Sequence, residues 1–233
     1  MRVVSLVPSV TETLLAWGIE PVACTRFCEQ PSLRHVGGTK DPDIAAIAAL
    51  LPDVVIVDRE ENRRDDADAL AERGLNVVDL HVTSLVSAVE ETNRLASMVG
   101  GSRVRDLSVG STPVRVRAFV PIWRRPWMTI NAMTYGASLL ASIGVGVSHS
   151  ASPVAYPEVS GDELARLESD EGVSVVLLPT EPYAFTERHV PEVVGASGIA
   201  DVRIVDGRDL FWWGVRSEGA RERLADQLGD LLG

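Results

Sequence analysis

Leu51-Pro52-Asp53-Val54-Val55-Ile56-Val57-Asp58 is the stretch that decides the fold. Proline ends the helix expected over Ile44 to Leu51, and four branched apolar residues follow. A strand with one wet face would alternate apolar and polar side chains. This run does not alternate, so it is expected to lie in a parallel sheet covered by helices on both faces. Outward from it the chain keeps that rhythm. Upstream, strand Val3 to Leu6 leads into Pro8-Ser9-Val10-Thr11-Glu12, where Ser9 and Glu12 have the spacing of a capping box. A helix through Leu14, Leu15 and Trp17 then stops at Gly18, and Val22 to Cys24 reads as a second strand. Asp41-Pro42 reads as a helix start. Downstream come a charged helix over Asp65 to Arg73, strand Val77 to Leu80 and an amphipathic helix from Ser84 to Val99, closed by Gly100-Gly101.

The order then repeats. Arg115 to Val120 and Val173 to Leu178 read as buried strands, and Val202 to Val205 as the edge of their sheet. Ser160-Gly161-Asp162-Glu163 is a second capping box, and a helix from Ser217 to Leu232 closes the chain. Alternating strands and helices give an α/β fold of two Rossmann-like lobes with parallel sheets. The expected division is 1–99 for the first lobe, a short linker over 100–114 and 115–233 for the second. Paired glycines and Pro113 argue against one long helix through that linker. Ligands of such sheets sit beyond the carboxyl ends of the strands, so a cleft between the lobes is the expected site.

Composition narrows the function. Hydrophobic residues are 45% and charged residues 24% of the 233, which fits a globular core and excludes disorder. A net charge of −11 opposes nucleic acid and anionic membrane surfaces. Polar residues between Pro126 and Pro157 interrupt every apolar run long enough to span a bilayer. The opening residues do not form a signal peptide, which gives a cytoplasmic expectation, or an extracytoplasmic one if the native start lies elsewhere.

Complete nucleotide, zinc and hydrolase motifs are missing. Gly144-Val145-Gly146 begins a dinucleotide fingerprint, but His149 stands at its third glycine. Cys24-x-x-x-Cys28 has the wrong spacing for a zinc knuckle and reads as two reduced thiols near a strand end. Neither a metal site nor an intrinsic cofactor is expected. The aromatics carry more information. They are 5% of the chain, yet Phe27, Trp127, Tyr156, Tyr183, Trp212 and Trp213 fall in loops after strands, the place to line an apolar cleft for a planar ligand. The bland alternative is that Trp212-Trp213 staples the last helix to its lobe. An enzyme would instead use strand-end groups such as Asp58, His81 and Glu181.

Val4 to Glu12, Val36-Gly37-Gly38, Asp41-Pro42-Asp43-Ile44, Tyr156-Pro157-Glu158-Val159-Ser160, Leu178 to Tyr183 and Trp212 to Arg216, in this order with Leu51 to Val55, resemble one family. It is the helical-backbone (class III) periplasmic substrate-binding proteins of ABC transporters, in their cobalamin-binding branch. The resemblance implies a non-enzymatic binder of a corrinoid or an iron chelate, or a cytosolic storage or sensing form of one. It implies ligand contacts at Phe27, Met128, Tyr156 and Asp209, and permease docking through carboxylates. Asp162 matches the second docking position; Arg64 occupies the first, with Glu60 and Glu61 nearby. Asp58 stands where the cobalamin receptor that the chain most resembles has a cleft tryptophan.

Overall fold

The computed structural model describes residues 1–107 and 112–233; part of the expected linker, 108–111, lies outside the described residues. The chain divides into two compact units, Met1–Asp106 with Trp213–Arg216, and Leu107–Trp212 with Ser217–Gly233.

The first unit is built on β1 (Val3–Ser5), β2 (Ala23–Cys24), β3 (Val54–Asp58) and β4 (Val77–Leu80), all parallel, in the order β2-β1-β3-β4. Helices α1 (Pro8–Ala16), α2 (Ile44–Ala49), α3 (Arg64–Glu72) and α4 (Leu85–Val99) alternate with them. Every residue of β3 is buried. Val55 and Val57 pack with Val4, Leu6, Ile47 and Leu70 on one face. Val54 and Ile56 meet Leu95 and Met98 around a small cavity on the other. The two-sided apolar run therefore has its physical cause in helices on both faces.

Helix starts depart from the expected positions. Val7 is the cap position of α1 and its side chain makes no capping bond. Ser9 lies buried inside the first turn, and Glu12 accepts a hydrogen bond from Arg216 Nε at 2.9 Å, so the expected Ser9–Glu12 box does not form. Asp43, not Asp41, caps α2 by accepting from the Ala46 N–H at 2.9 Å; Asp41 pairs with Arg26 at 3.0 Å. Ser84 caps α4 through a reciprocal box with Ser87. Ser84→Ala removes the arm that accepts from the Ser87 N–H and leaves the Ser84 N–H bonded to Ser87 Oγ, and urea unfolding is expected to show a loss of about 1 kcal/mol. At its other end α4 stops at Gly100, which takes a left-handed φ of +80°.

The second unit repeats the plan with β5 (Val116–Phe119), β8 (Val145–Val147), β10 (Val175–Pro179) and β11 (Val202–Val205), parallel and ordered β11-β10-β5-β8. As read, β11 lies at the edge of this sheet. What the sequence reading lacks is an antiparallel sheet of β6 (Pro121–Trp123), β7 (Trp127–Thr129) and β9 (Glu158–Val159). Helices α5 (Tyr135–Ala141), α6 (Gly161–Leu164), α7 (Leu167–Glu171), α8 (Val190–Ser197) and α9 (Gly207–Phe211) complete it. The Ser160–Glu163 box forms as read, at the start of α6. The closing helix is two, α10 (Ser217–Gln227) and α11 (Gly229–Leu232). Among the described residues, no helix is long and apolar enough to cross a membrane.

Candidate functional site

The carboxyl ends of the first unit's strands carry its candidate residues. Phe27 follows β2 and is 51% exposed, with the Arg26 guanidinium 4.8 Å from its ring centre. A ring so exposed contributes little to the core, and Arg26 is itself held by Asp41. Asp58 ends β3 and is 1% exposed. Its Oδ1 accepts from the Glu60 N–H at 2.8 Å, its own N–H donates to Asn62 Oδ1, and Oδ2 is buried without a partner. Burial first, then the charges of Glu61 and Glu60, push its carboxyl up to about 7, against the opposing Glu60 N–H. Asn62 fixes the turn by donating to the Leu6 and Thr39 carbonyls.

Glu60 is half-buried and its Oε1 lies 3.7 Å from His81 Nε2; Glu61 is exposed. Beside β3 and β4 is a pocket of about 550 Å³, where Arg59 pairs with Asp79 at 2.7 Å and Arg64 with Asp68 at 3.7 Å. Trp213 is buried and groups with this unit.

In the second unit the β6–β7 hairpin presents the aromatics. Trp123 is 46% exposed and meets Tyr183 edge-on, with ring centres 5.4 Å apart. Trp127 lies parallel to Phe185 at 6.3 Å, and Tyr183 touches Phe185 at 4.7 Å and His189 at 5.6 Å. These are ordinary spacings for rings that hold one another in place. Met128 is half-buried opposite Glu158 of β9. Tyr156, just ahead of β9, is 37% exposed.

Arg124, Arg125, Tyr183, Arg188 and His189 line a polar pocket of about 290 Å³, with Arg124 bonded to Glu192 at 2.8 Å. The structure thus gathers Trp123, Trp127 and Tyr183 with Phe185. Sequence reasoning misses Arg188, whose only signal is a basic residue in the loop after β10. Trp212 is half-buried after α9. Asp209 is buried, with its carboxylate gripped by Arg223. Asp162 is exposed in the first turn of α6. Glu181 packs on Gly207, where a Cβ would collide with its backbone, and so belongs to the second unit. No group of three His, Cys, Asp or Glu side chains gathers to hold a metal among the described residues.

The first unit thus carries exposed Phe27 and the second exposed Trp123 and Tyr156, and residues 3–102 match the family model described as periplasmic binding protein. The vitamin B12-binding protein of Pectobacterium carotovorum subsp. carotovorum (strain PC1) is 24% identical over 188 residues, covering 71% of this chain and 67% of that one. The periplasmic vitamin B12 binding protein BtuF of Vibrio cholerae superposes with a TM-score of 0.78 at 19% identity, over 99% of this chain and 97% of its own. The periplasmic heme-binding protein RhuT from Roseiflexus sp. RS-1 does so with a TM-score of 0.77 at 17% identity, over 100% and 99%. The fold is therefore that of the periplasmic binding proteins, and the resemblance to the cobalamin-binding branch read from the sequence has its counterpart in a B12-binding relative and a B12-binding structure.

Proposed function

We propose that this chain is a substrate-binding protein for a corrinoid or a related planar metal chelate, delivering it to an ABC permease without chemical change. The observation that carries the reading is the exposed aromatics beyond the parallel strands, Phe27 in the first unit and Trp123 and Tyr156 in the second. Rings left partly in water at strand ends gain by covering a flat ligand face. The relatives named for vitamin B12 and haem support the same ligand class. On this reading Glu60, Glu61 and Asp162 offer carboxylates to basic docking residues of the permease.

The test is absorbance and calorimetric titration with cyanocobalamin, haemin and a ferric siderophore. One of them is expected to bind saturably, at one equivalent. Tyr156→Ala is then expected to weaken that binding by about ten- to a hundredfold, or about 1.4 to 2.7 kcal/mol, while the unfolding midpoint stays put because Tyr156 is substantially exposed. Absence of saturable binding by all three classes overturns the proposal. A Tyr156→Ala variant that binds as wild type removes Tyr156 from the site.

A further inference from the structure

The loop that follows β2 holds a chemical feature that ligand binding does not use. Cys24 closes the strand, and Cys28 follows after Thr25, Arg26 and Phe27, with the Cys28 N–H bonded to the Thr25 carbonyl in a tight turn. The turn folds Cys28 back toward the end of β2, so that each of the two buried thiols shifts the other's ionisation. The Cys28 sulfur also lies 3.2 Å from the Thr11 hydroxyl and 3.2 Å from the Thr25 hydroxyl. Both cysteines are free and buried, Cys24 at 0% and Cys28 at 2% exposure. Two hydroxyls around one buried sulfur are an uncommon way to fill a small apolar site, since valine or alanine would fill it without polar atoms to satisfy. They are what a thiolate needs.

We propose that Cys24 and Cys28 form a redox couple that closes reversibly into an intramolecular disulfide. Cys28 is the attacking sulfur. The Cys24 thiol foremost, and then the Thr11 and Thr25 hydroxyls, hold the Cys28 pKa below the ordinary thiol value against the opposing effect of burial, while the same pairing and burial raise that of Cys24. The oxidant is a small two-electron acceptor, such as a low-molecular-weight disulfide or the azo compound diamide. With diamide, the Cys28 thiolate adds to one nitrogen of the N=N bond and the other nitrogen takes a proton. Cys24 sulfur then attacks Cys28 sulfur, the S–N bond breaks, and the departing nitrogen takes the Cys24 proton. Two thiols become one disulfide and the azo group becomes a hydrazine, so atoms and electrons balance. Access comes from opening the turn, whose middle residues Arg26 and Phe27 are already exposed. Phe27 lies between the two sulfurs in sequence, so the bond tightens the loop that carries a proposed ligand contact; the couple itself does not depend on that contact.

The experiment treats the native full-length chain with diamide and reads intact mass, free thiols in denaturant and a tryptic map without reductant. Trypsin cuts after Arg26, between the cysteines, so a Cys24–Cys28 bond leaves two peptides joined. Expected are a loss of two mass units, two thiols falling to none, a joined peptide pair that dithiothreitol separates, and no covalent dimer. Cys24→Ser and Cys28→Ser should each abolish the joined pair. Thr25→Val, which deletes one hydroxyl at the Cys28 sulfur, should slow closure at pH 7 roughly three- to tenfold and move its rate profile to higher pH. Two thiols persisting under native conditions, a bond formed only in denaturant, or only intermolecular dimers would overturn the proposal on the wild-type chain alone.

Discussion

Asp58→Asn is expected to stabilise the folded chain, and to do so more at pH 8 than at pH 5.5. Asp58 is 1% exposed and its Oδ2 is buried without a hydrogen-bond partner. Burial raises its carboxyl from the ordinary 3.8 to about 7 in the fold. Between those two values the folded chain holds a proton that the unfolded chain has released. Stability therefore falls as pH rises through this window, and the loss is complete above the folded value. At about 1.4 kcal/mol per unit, the raised folded value costs on the order of 4 kcal/mol at pH 8 and on the order of 2 at pH 5.5.

Asparagine removes the charge while its carbonyl oxygen still accepts the Glu60 N–H. Its amide, buried where Oδ2 was, returns about 1 to 2 kcal/mol of the gain. The variant should thus be more stable by about 2 to 3 kcal/mol at pH 8, with an advantage smaller by about 2 at pH 5.5. Urea unfolding at the two pH values measures it, and an advantage independent of pH would show that Asp58 does not titrate in this window. A buried carboxylate kept at such a cost has to be explained by something other than stability. It ends β3, at the carboxyl end of the first unit's sheet.

Legibility in the sequence follows range. β3 and β10 are readable because burial on both faces writes itself into consecutive residues, Val54 to Val57 and Val175 to Leu178. Ser160 is readable because its cap is satisfied within four residues. The Ser9–Glu12 spacing misleads because Pro8 already starts α1, and because Glu12 turns to Arg216, a partner no local pattern can reveal. Strands β6, β7 and β9 escape for the converse reason. They are two or three residues long, and the β6–β7 register shifts between Pro121 and Trp123, so no alternation has room to develop.

For the candidate site, the sequence gives away the residue types and not their surroundings. Loop placement marks Phe27, Trp127, Tyr156 and Tyr183, but nothing in it separates exposed Phe27 from Trp127, which is stacked on Phe185. Adjacent Trp212 and Trp213 illustrate the limit: the first is half-buried and groups with the second unit, the second is buried and groups with the first.

Arg223→Ala is expected to be among the most damaging changes outside the apolar cores. Asp209, in α9, is buried, and its two oxygens accept from Nε and a terminal guanidinium nitrogen of Arg223 in α10, each at 2.6 Å. This fork matches the carboxylate in geometry as well as charge, which a lysine cannot do. Truncating the arginine leaves a buried carboxylate stripped of its bidentate partner, a change that costs about 3 to 5 kcal/mol when both partners are buried. Arg223 is itself 55% exposed in its side chain, so water screens part of the pair and about 2 to 3 kcal/mol is the expected loss.

Arg223→Lys should fall between wild type and alanine. Asp209→Asn combined with Arg223→Ala should recover part of the loss, because the penalty lies in the abandoned charge. Urea unfolding of wild type, the two single variants and the double variant gives the coupling directly. The same series separates the two roles open to Asp209. A residue that serves the packing of α9 on α10 shifts stability and leaves chelate affinity nearly unchanged. One that contacts the ligand weakens binding in Asp209→Asn even where the fold is kept by Arg223.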